Sequence, residues 1–283
     1  MKRIFTGVLV TLVFMVLAGP TLCYAGTTYD KVKKDGVVRV GMMYNSIPAA
    51  YFNDKNEWVG FDVDIAEEVV KRIGASMGKQ LKVERVKVNN ISRISMLTSN
   101  MIDMSVANMT HKRERDKTID FSITYFFDGQ KILAKKGKFK SLKDFKGKKL
   151  ASQQGTTSEK NAVALLKRLG DPNAEKDVIS FQDEPSCFLA LQQGKVAGWT
   201  TDSTILLGYA AKDPGKYELV GEFFSSEPYG IGMPQDDSAW RGAINFALQD
   251  MWADGTYKKI YDKWYGPTTP YFFPLTEKIE MWP

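Results

Sequence analysis

His111 is the only histidine in the chain. Most metal sites, and the Ser-His-Asp arrangement of nucleophilic hydrolysis, are therefore not expected. Cys23 and Cys187 are the only cysteines. Cys187 lies in the apolar stretch Cys187-Phe188-Leu189-Ala190-Leu191, which reads as buried core rather than as a reactive thiol. Gly155-Thr156-Thr157-Ser158-Glu159-Lys160 lacks the Gly-Lys-Ser/Thr order of a phosphate loop, and Gly230-Ile231-Gly232 lacks the third glycine of a dinucleotide site. Asp62 and Asp64 form a carboxylate pair at a helix start, where the helix dipole favours acids, so a structural role is expected. Arg115 shares a charged loop with Lys112, Arg113 and Lys117 and by itself reads as a surface arginine. Asp202 by itself reads as a helix cap.

The elements that position these residues alternate between strand and helix. Val37 to Gly41 reads as a buried strand. Asp62 can cap the helix that follows, whose apolar face carries Ile65, Ala66, Val69 and Ile73. Leu81 to Val88 alternates like a half-exposed strand, and Ile102 to Ala107 is the next. The rhythm repeats: a strand at Lys149 to Ser152, a turn at Gly155, a helix with Ala162, Leu165 and Leu166 inward, then a strand at Val178 to Phe181. A helix begins near Pro185, a strand runs from Val196 to Thr200, and Asp202 or Ser203 caps the next helix. The end is helical from about Asp237 to Tyr265, broken at Gly255. Strands alternating with such helices predict mainly parallel α/β sheets, and two runs of them predict two lobes.

The N-terminus reads as an export signal. Lys2 and Arg3 precede a run from Ile4 to Ala18 that is almost wholly apolar, and small residues offer a cut after Ala25. The run is too short to span a bilayer, for which roughly 20 residues are needed. Leu22 stands before Cys23 where a lipoprotein signal needs a small residue, so a lipid anchor is not expected. The formal charge of +6 falls to about +4 without Lys2 and Arg3. Lys135 to Lys149 holds eight lysines against Asp144. With no aromatic stacking set interleaved, this reads as a solvated face, and no nucleic-acid partner is expected.

Three stretches in order carry a resemblance. They are Val59-Gly60-Phe61-Asp62-Val63-Asp64; Met101 to Thr110 with Arg113-Glu114-Arg115 and Ile119-Asp120-Phe121-Ser122; and Gln154-Gly155-Thr156-Thr157-Ser158. The chain resembles the family-3 solute-binding proteins of polar amino-acid ABC transporters over nearly all of residues 30–265. Its second half, with Asp202 and Glu227-Pro228-Tyr229-Gly230, is most similar to the glutamate/aspartate-binding branch.

The resemblance implies a periplasmic-binding-protein fold of type II. Lobe 1 would comprise residues 26–129 and 231–283, and lobe 2 residues 130–230. The hinge strands would lie near Gly129-Gln130-Lys131-Ile132 and Glu227-Pro228-Tyr229-Gly230. It also implies a monomeric periplasmic receptor without cofactor or metal. Such a receptor takes a free polar amino acid (glutamate, aspartate or glutamine-like) and hands it to an inner-membrane ABC permease. Arg115 matches the arginine that forks onto the ligand carboxylate. Asn108 and Thr110 match contacts at a strand end, Thr156 and Thr157 offer hydroxyls and helix N–H groups, and Asp202 matches the acid that holds the ammonium.

The chain also departs from the acidic-ligand pattern. Met43 replaces an arginine of that branch, Arg93 retains a second one, and Glu184 replaces a histidine. A buried carboxylate at Glu184 is expected to repel an acidic side chain. Ala49 stands where the family has an aromatic, although Tyr44 is near enough in sequence to pack on a ligand. The alternative is a lyase of the cyclohexadienyl dehydratase kind on the same scaffold, with Glu184 as its general acid.

Overall fold

A computed structural model describes residues 27–282; the expected signal segment lies outside the described residues. The chain opens with α1 (Thr28–Asp35), β1 (Val37–Met42) and a small antiparallel sheet of β2 (Asn45–Ser46), β3 (Ala50–Phe52) and β4 (Trp58–Val59). There follow α2 (Phe61–Ser76), β5 (Lys82–Lys87), α3 (Ser92–Thr98), β6 (Met104–Val106), α4 (Arg113–Asp116) and β7 (Asp120–Asp128). A second unit comprises β8 (Gln130–Lys135), β9 (Leu150–Gln153), α5 (Thr157–Arg168), α6 (Ala174–Asp177), β10 (Val178–Phe181), α7 (Glu184–Gln192), β11 (Gly198–Asp202), α8 (Ser203–Ala210) and β12 (Tyr217–Val220). The chain then returns through β13 (Glu227–Met233), α9 (Ser238–Ala253) and α10 (Thr256–Tyr265).

Two five-stranded sheets result, ordered β5-β1-β6-β13-β7 and β10-β9-β11-β8-β12. In the first, β1 pairs in parallel with β5 and β6, and β13 runs antiparallel to β6 and β7. In the second, β9 pairs in parallel with β10 and β11, and β8 runs antiparallel to β11 and β12. Each sheet has its own core. Along β8, Ile132 and Ala134 pack into one apolar cluster and Leu133 into another, so both faces of the second sheet are covered by helices. The molecule is a mixed α/β protein of two lobes.

The lobes join at two crossings. The first is Asp128-Gly129-Gln130, between β7 of one sheet and β8 of the other. The second lies between β12 and β13. Residues 227–230, expected in lobe 2, pair with Thr124 to Asp128 in the first sheet. The sheet membership of the chain therefore changes before Glu227.

Two local expectations are corrected. Gly60, not Asp62, is the N-cap of α2, and Asp62 is a buried first-turn residue. Its carboxylate accepts the Asn108 N–H at 3.1 Å and the Tyr125 hydroxyl at 2.9 Å. Asp202 occupies the N-cap position of α8, but its side chain makes no capping bond. Asp128 caps that helix instead, accepting the N–H groups of Ser203 at 3.2 Å and Thr204 at 3.0 Å.

Candidate functional site

The C-terminal ends of β6 and β11 and the N-terminal turns of α5 and α7 face one another between the lobes. They bound a narrow space lined by Asn90, Arg93, Asn108, Thr110, Gln153, Thr156, Thr157, Ser158, Glu184, Thr201, Asp202 and Ile205. Strand ends and helix starts carry backbone groups that no ladder or helix uses, which suits them to a polar ligand.

The cavity concentrates unsatisfied polar atoms. Among the described residues, the buried side-chain atoms without a hydrogen-bond partner include Arg93 Nε, both amide atoms of Asn108, and Glu184 Oε2. All three residues line this one space. Leaving such atoms unpaired costs about 1–3 kcal/mol each, so their convergence calls for a ligand. Asn108 also adopts a left-handed backbone with φ 48°, a conformation held under strain and common at ligand clamps. A roomier groove on the outer face of lobe 1, lined by Asp64, Glu68, Lys71 and Lys263 among others, collects none of these atoms.

Charges are arranged in a sequence along the cavity. Asp202 accepts from Gln130 Nε2 at 3.2 Å and from the Tyr229 hydroxyl. Burial, with Glu227 and Asp128 close by, pushes its carboxyl well above the ordinary range. Two buried acids, Asp202 and Glu227, with part-buried Asp128 close by, make a place where a cation is favoured. Arg93 is buried and held by the Ala107 carbonyl at 2.5 Å and the Asn108 carbonyl at 3.3 Å. Burial lowers its guanidinium to about 9, an effect opposed by Asp202. Glu184 begins α7, while Asp183 caps that helix through the Ser186 N–H at 2.9 Å. Its Oε1 accepts the Ser46 hydroxyl of β2 at 2.5 Å, linking the lobes. Burial raises its carboxyl to about 8, with Ser46 and Arg93 opposing the rise.

The expected ligand residues divide accordingly. Arg93, Asn108, Thr110, Thr156, Thr157, Glu184 and Asp202 come together around the cavity. Arg115 lines an adjoining opening that shares Thr156 and Thr157 with it. Its Nη1 donates to the Thr110 carbonyl at 2.7 Å, and its guanidinium senses the charges of Glu227 and Asp202. Tyr44 lines neither opening; the ammonium of Lys87 sits 5.8 Å from its ring centre.

Some hydroxyls are already engaged. Thr110 Oγ1 and Thr157 Oγ1 donate to Glu227 Oε2 at 2.6 and 2.8 Å. Thr156 Oγ1 donates to the Gln153 carbonyl and accepts from the Glu159 N–H, capping α5. What α5 offers a ligand is therefore its first-turn N–H groups and the positive end of its dipole. His111 lies outside the site, stacked on Phe121 at 4.5 Å between ring centres and bonded to Asp116.

Sequence reasoning missed Gln130, which donates to Thr157, Ser158 and Asp202 from the first crossing. It also missed Ser46 and Asp128. Their partners lie 138 and about 75 residues away along the chain, and no local pattern signals such a pairing.

Comparisons with known proteins agree with the two-lobed fold. The family model for bacterial extracellular solute-binding proteins, family 3, matches residues 38–267. The chain is 39% identical over 207 residues to the ABC transporter glutamine-binding protein GlnH of Bacillus subtilis (strain 168), covering 72% of each protein. It is 30% identical over 250 residues to the glutamate/aspartate import solute-binding protein of Salmonella typhimurium, covering 87% of this chain and 82% of that one. Among solved structures, an ancestral arginine-binding protein bound to glutamine superposes with a TM-score of 0.73 at 38% identity, over 82% of this chain and 98% of that one. The chain belongs to the bacterial extracellular solute-binding proteins, family 3.

Proposed function

We propose that this protein is the periplasmic receptor of an ABC transporter for a polar L-amino acid of the glutamate, aspartate or glutamine class. The observation that carries the reading is the convergence of orphaned polar atoms on Arg93, Asn108 and Glu184 beside a cluster of buried acids. In this reading the α-ammonium is held by Asp202, whose carboxylate is not spent on capping α8. The α-carboxylate meets Arg115 and the first-turn N–H groups of α5. Arg93, Asn108 and Glu184 receive the side chain. The lobes close over the ligand, and the closed pair of lobes docks as a monomer on a membrane permease. The similarity to glutamine- and glutamate/aspartate-binding proteins of transporters supports the assignment.

The reading involves no bond-making chemistry. Glu184 is a buried acid that holds its proton, as a dehydratase would require. Its Oε1 is tied to Ser46 and its Oε2 has no partner, and the transport receptors that the chain is similar to favour binding instead. Calorimetric titration of the ligand-stripped mature protein with the twenty L-amino acids tests the assignment. Saturable 1:1 binding of a polar member is expected. Failure of all twenty to bind, or turnover of prephenate or arogenate, contradicts it.

A further inference from the structure

Arg93 and Glu184 both line the cavity, with opposite hydrogen-bonding needs. Arg93 Nε is a buried donor without an acceptor, and Glu184 Oε2 is a buried oxygen without a partner. The positive charge of Arg93 acts on Glu184. Asp202 is tied to Gln130 and Tyr229 beside the crossings, and Glu184 to Ser46 of β2, so the acid assigned to the ligand ammonium and Glu184 occupy separate parts of the cavity wall. Asn108 adds a free amide donor and acceptor to the same wall.

We propose that this part of the cavity reads a neutral carboxamide, so that the ligand is L-glutamine or L-asparagine rather than their acids, with Glu184 as the discriminating residue. The inference rests on the amino-acid receptor reading above. A carboxamide presents one acceptor and two donors. Its oxygen can take the Arg93 Nε–H while its nitrogen donates to Glu184 Oε2. Against ionised Glu184 a carboxylate side chain satisfies Arg93 but offers no donor and places like charges in contact; against protonated Glu184, whose own O–H can donate, the discrimination is weaker. A cationic side chain satisfies Glu184 but confronts Arg93. A group with both a donor and an acceptor, and no net charge, meets both needs.

The selection should sharpen with pH. Glu184 is faced by Ser46 from β2, Arg93 from α3, Asp183 before its own helix, Cys187 within it, and Tyr209 and Lys212 at the end of α8. Once Glu184 ionises, the glutamate side chain is repelled and the glutamine amide is not.

The test is titration of the stripped protein and its Glu184→Gln variant with L-glutamine, L-asparagine, L-glutamate, L-aspartate and L-arginine at pH 6 and pH 8.5. Wild type should bind glutamine about 10-fold or more tighter than glutamate at pH 8.5, with a smaller ratio at pH 6. Glu184→Gln should shrink the ratio at pH 8.5 by about 10-fold and remove its pH dependence. Glutamate or arginine binding tighter than glutamine in wild type overturns the proposal, as does an unchanged ratio in the variant. Should the variant fail to fold, as judged by circular dichroism, the wild-type ratios at the two pH values decide. Binding of other amino acids with none of glutamine, asparagine, glutamate and aspartate overturns the carboxamide reading alone, while binding of none overturns the receptor assignment itself.

Discussion

The carboxylate of Asp128, the last residue of β7, caps helix α8 of the opposite lobe. It accepts the hydroxyls of Ser203 and Thr204, each at 2.6 Å, as well as their two N–H groups. Asp202, which precedes α8 in sequence, is thereby released from capping and lines the cavity instead. Replacing Asp128 by Ala removes the cap and should cost about 1–2 kcal/mol of stability. Asp128→Asn, which keeps one acceptor, should cost less. Urea denaturation of both variants measures this, and an Asp128→Ala variant as stable as wild type would show that the cap is idle.

Closure of the lobes is expected to depend on a single missing methyl group. Gly208 lies within α8, and a Cβ there would stand 2.0 Å from the Ile47 carbonyl oxygen of the first lobe. The neighbouring Tyr209 hydroxyl donates to the Asn45 carbonyl at 2.8 Å, so this helix face and the Asn45–Ile47 backbone meet closely. Alanine favours a helix over glycine by about 1 kcal/mol. Gly208→Ala should therefore leave the isolated lobe as stable or more so while weakening ligand affinity by about 10-fold or more. Calorimetric affinity set against thermal unfolding without ligand separates the two effects.

The ligand's α-groups should be recognised by geometry as well as charge. Arg115→Lys keeps the charge but loses the planar fork, and a loss of about 10-fold in affinity is expected. Asp202→Asn removes the charge for the ammonium and should cost about 100-fold. Both variants should be measured by titration with the best ligand of wild type. Equal affinities across wild type and both variants would remove these residues from the site.

Glu184 also predicts a pH effect on stability. Folded, it holds its proton to about 8, against an ordinary value of 4.5. Between those values the folded state retains a proton that the unfolded state has lost. The stabilising contribution is therefore full below about 4.5 and is lost as pH rises towards 8. Asp62, raised to about 7 by burial, acts in the same direction. Glu184→Gln should lose part of the fall in unfolding free energy between pH 5 and pH 8, with the Asp62 part remaining. Chemical denaturation of both proteins at these two pH values checks it.

The two-lobed α/β architecture was legible because strand and helix periodicities are local. Val38 and Val40 alternate inward on β1, and Leu165 and Leu166 fall on the buried face of α5. Arg115 and Asp202 were legible only through the order of motifs, since a charged loop and a helix start have commonplace explanations. Other features depend on contacts that form only when the lobes come together. Asp128 takes over a cap from 75 residues away, Ser46 meets Glu184 across the cleft, and Thr110 and Thr157 turn their hydroxyls to Glu227. Glu184 is the clearest case: a buried carboxylate that repels acids is readable from the sequence, but the rise of its proton affinity to about 8, which makes that repulsion depend on pH, is not.

The central claim is that the cavity between the lobes captures an amino acid by its α-ammonium and α-carboxylate. The most direct measurement is competitive titration of the stripped protein with its best amino acid, the N-acetylated form of that amino acid, and the analogue lacking the α-carboxylate. The geometry at Asp202 and at Arg115 with α5 predicts that only the intact amino acid binds tightly, each analogue being weaker by about 100-fold or more. Analogues that bind as tightly as the amino acid itself would contradict the account.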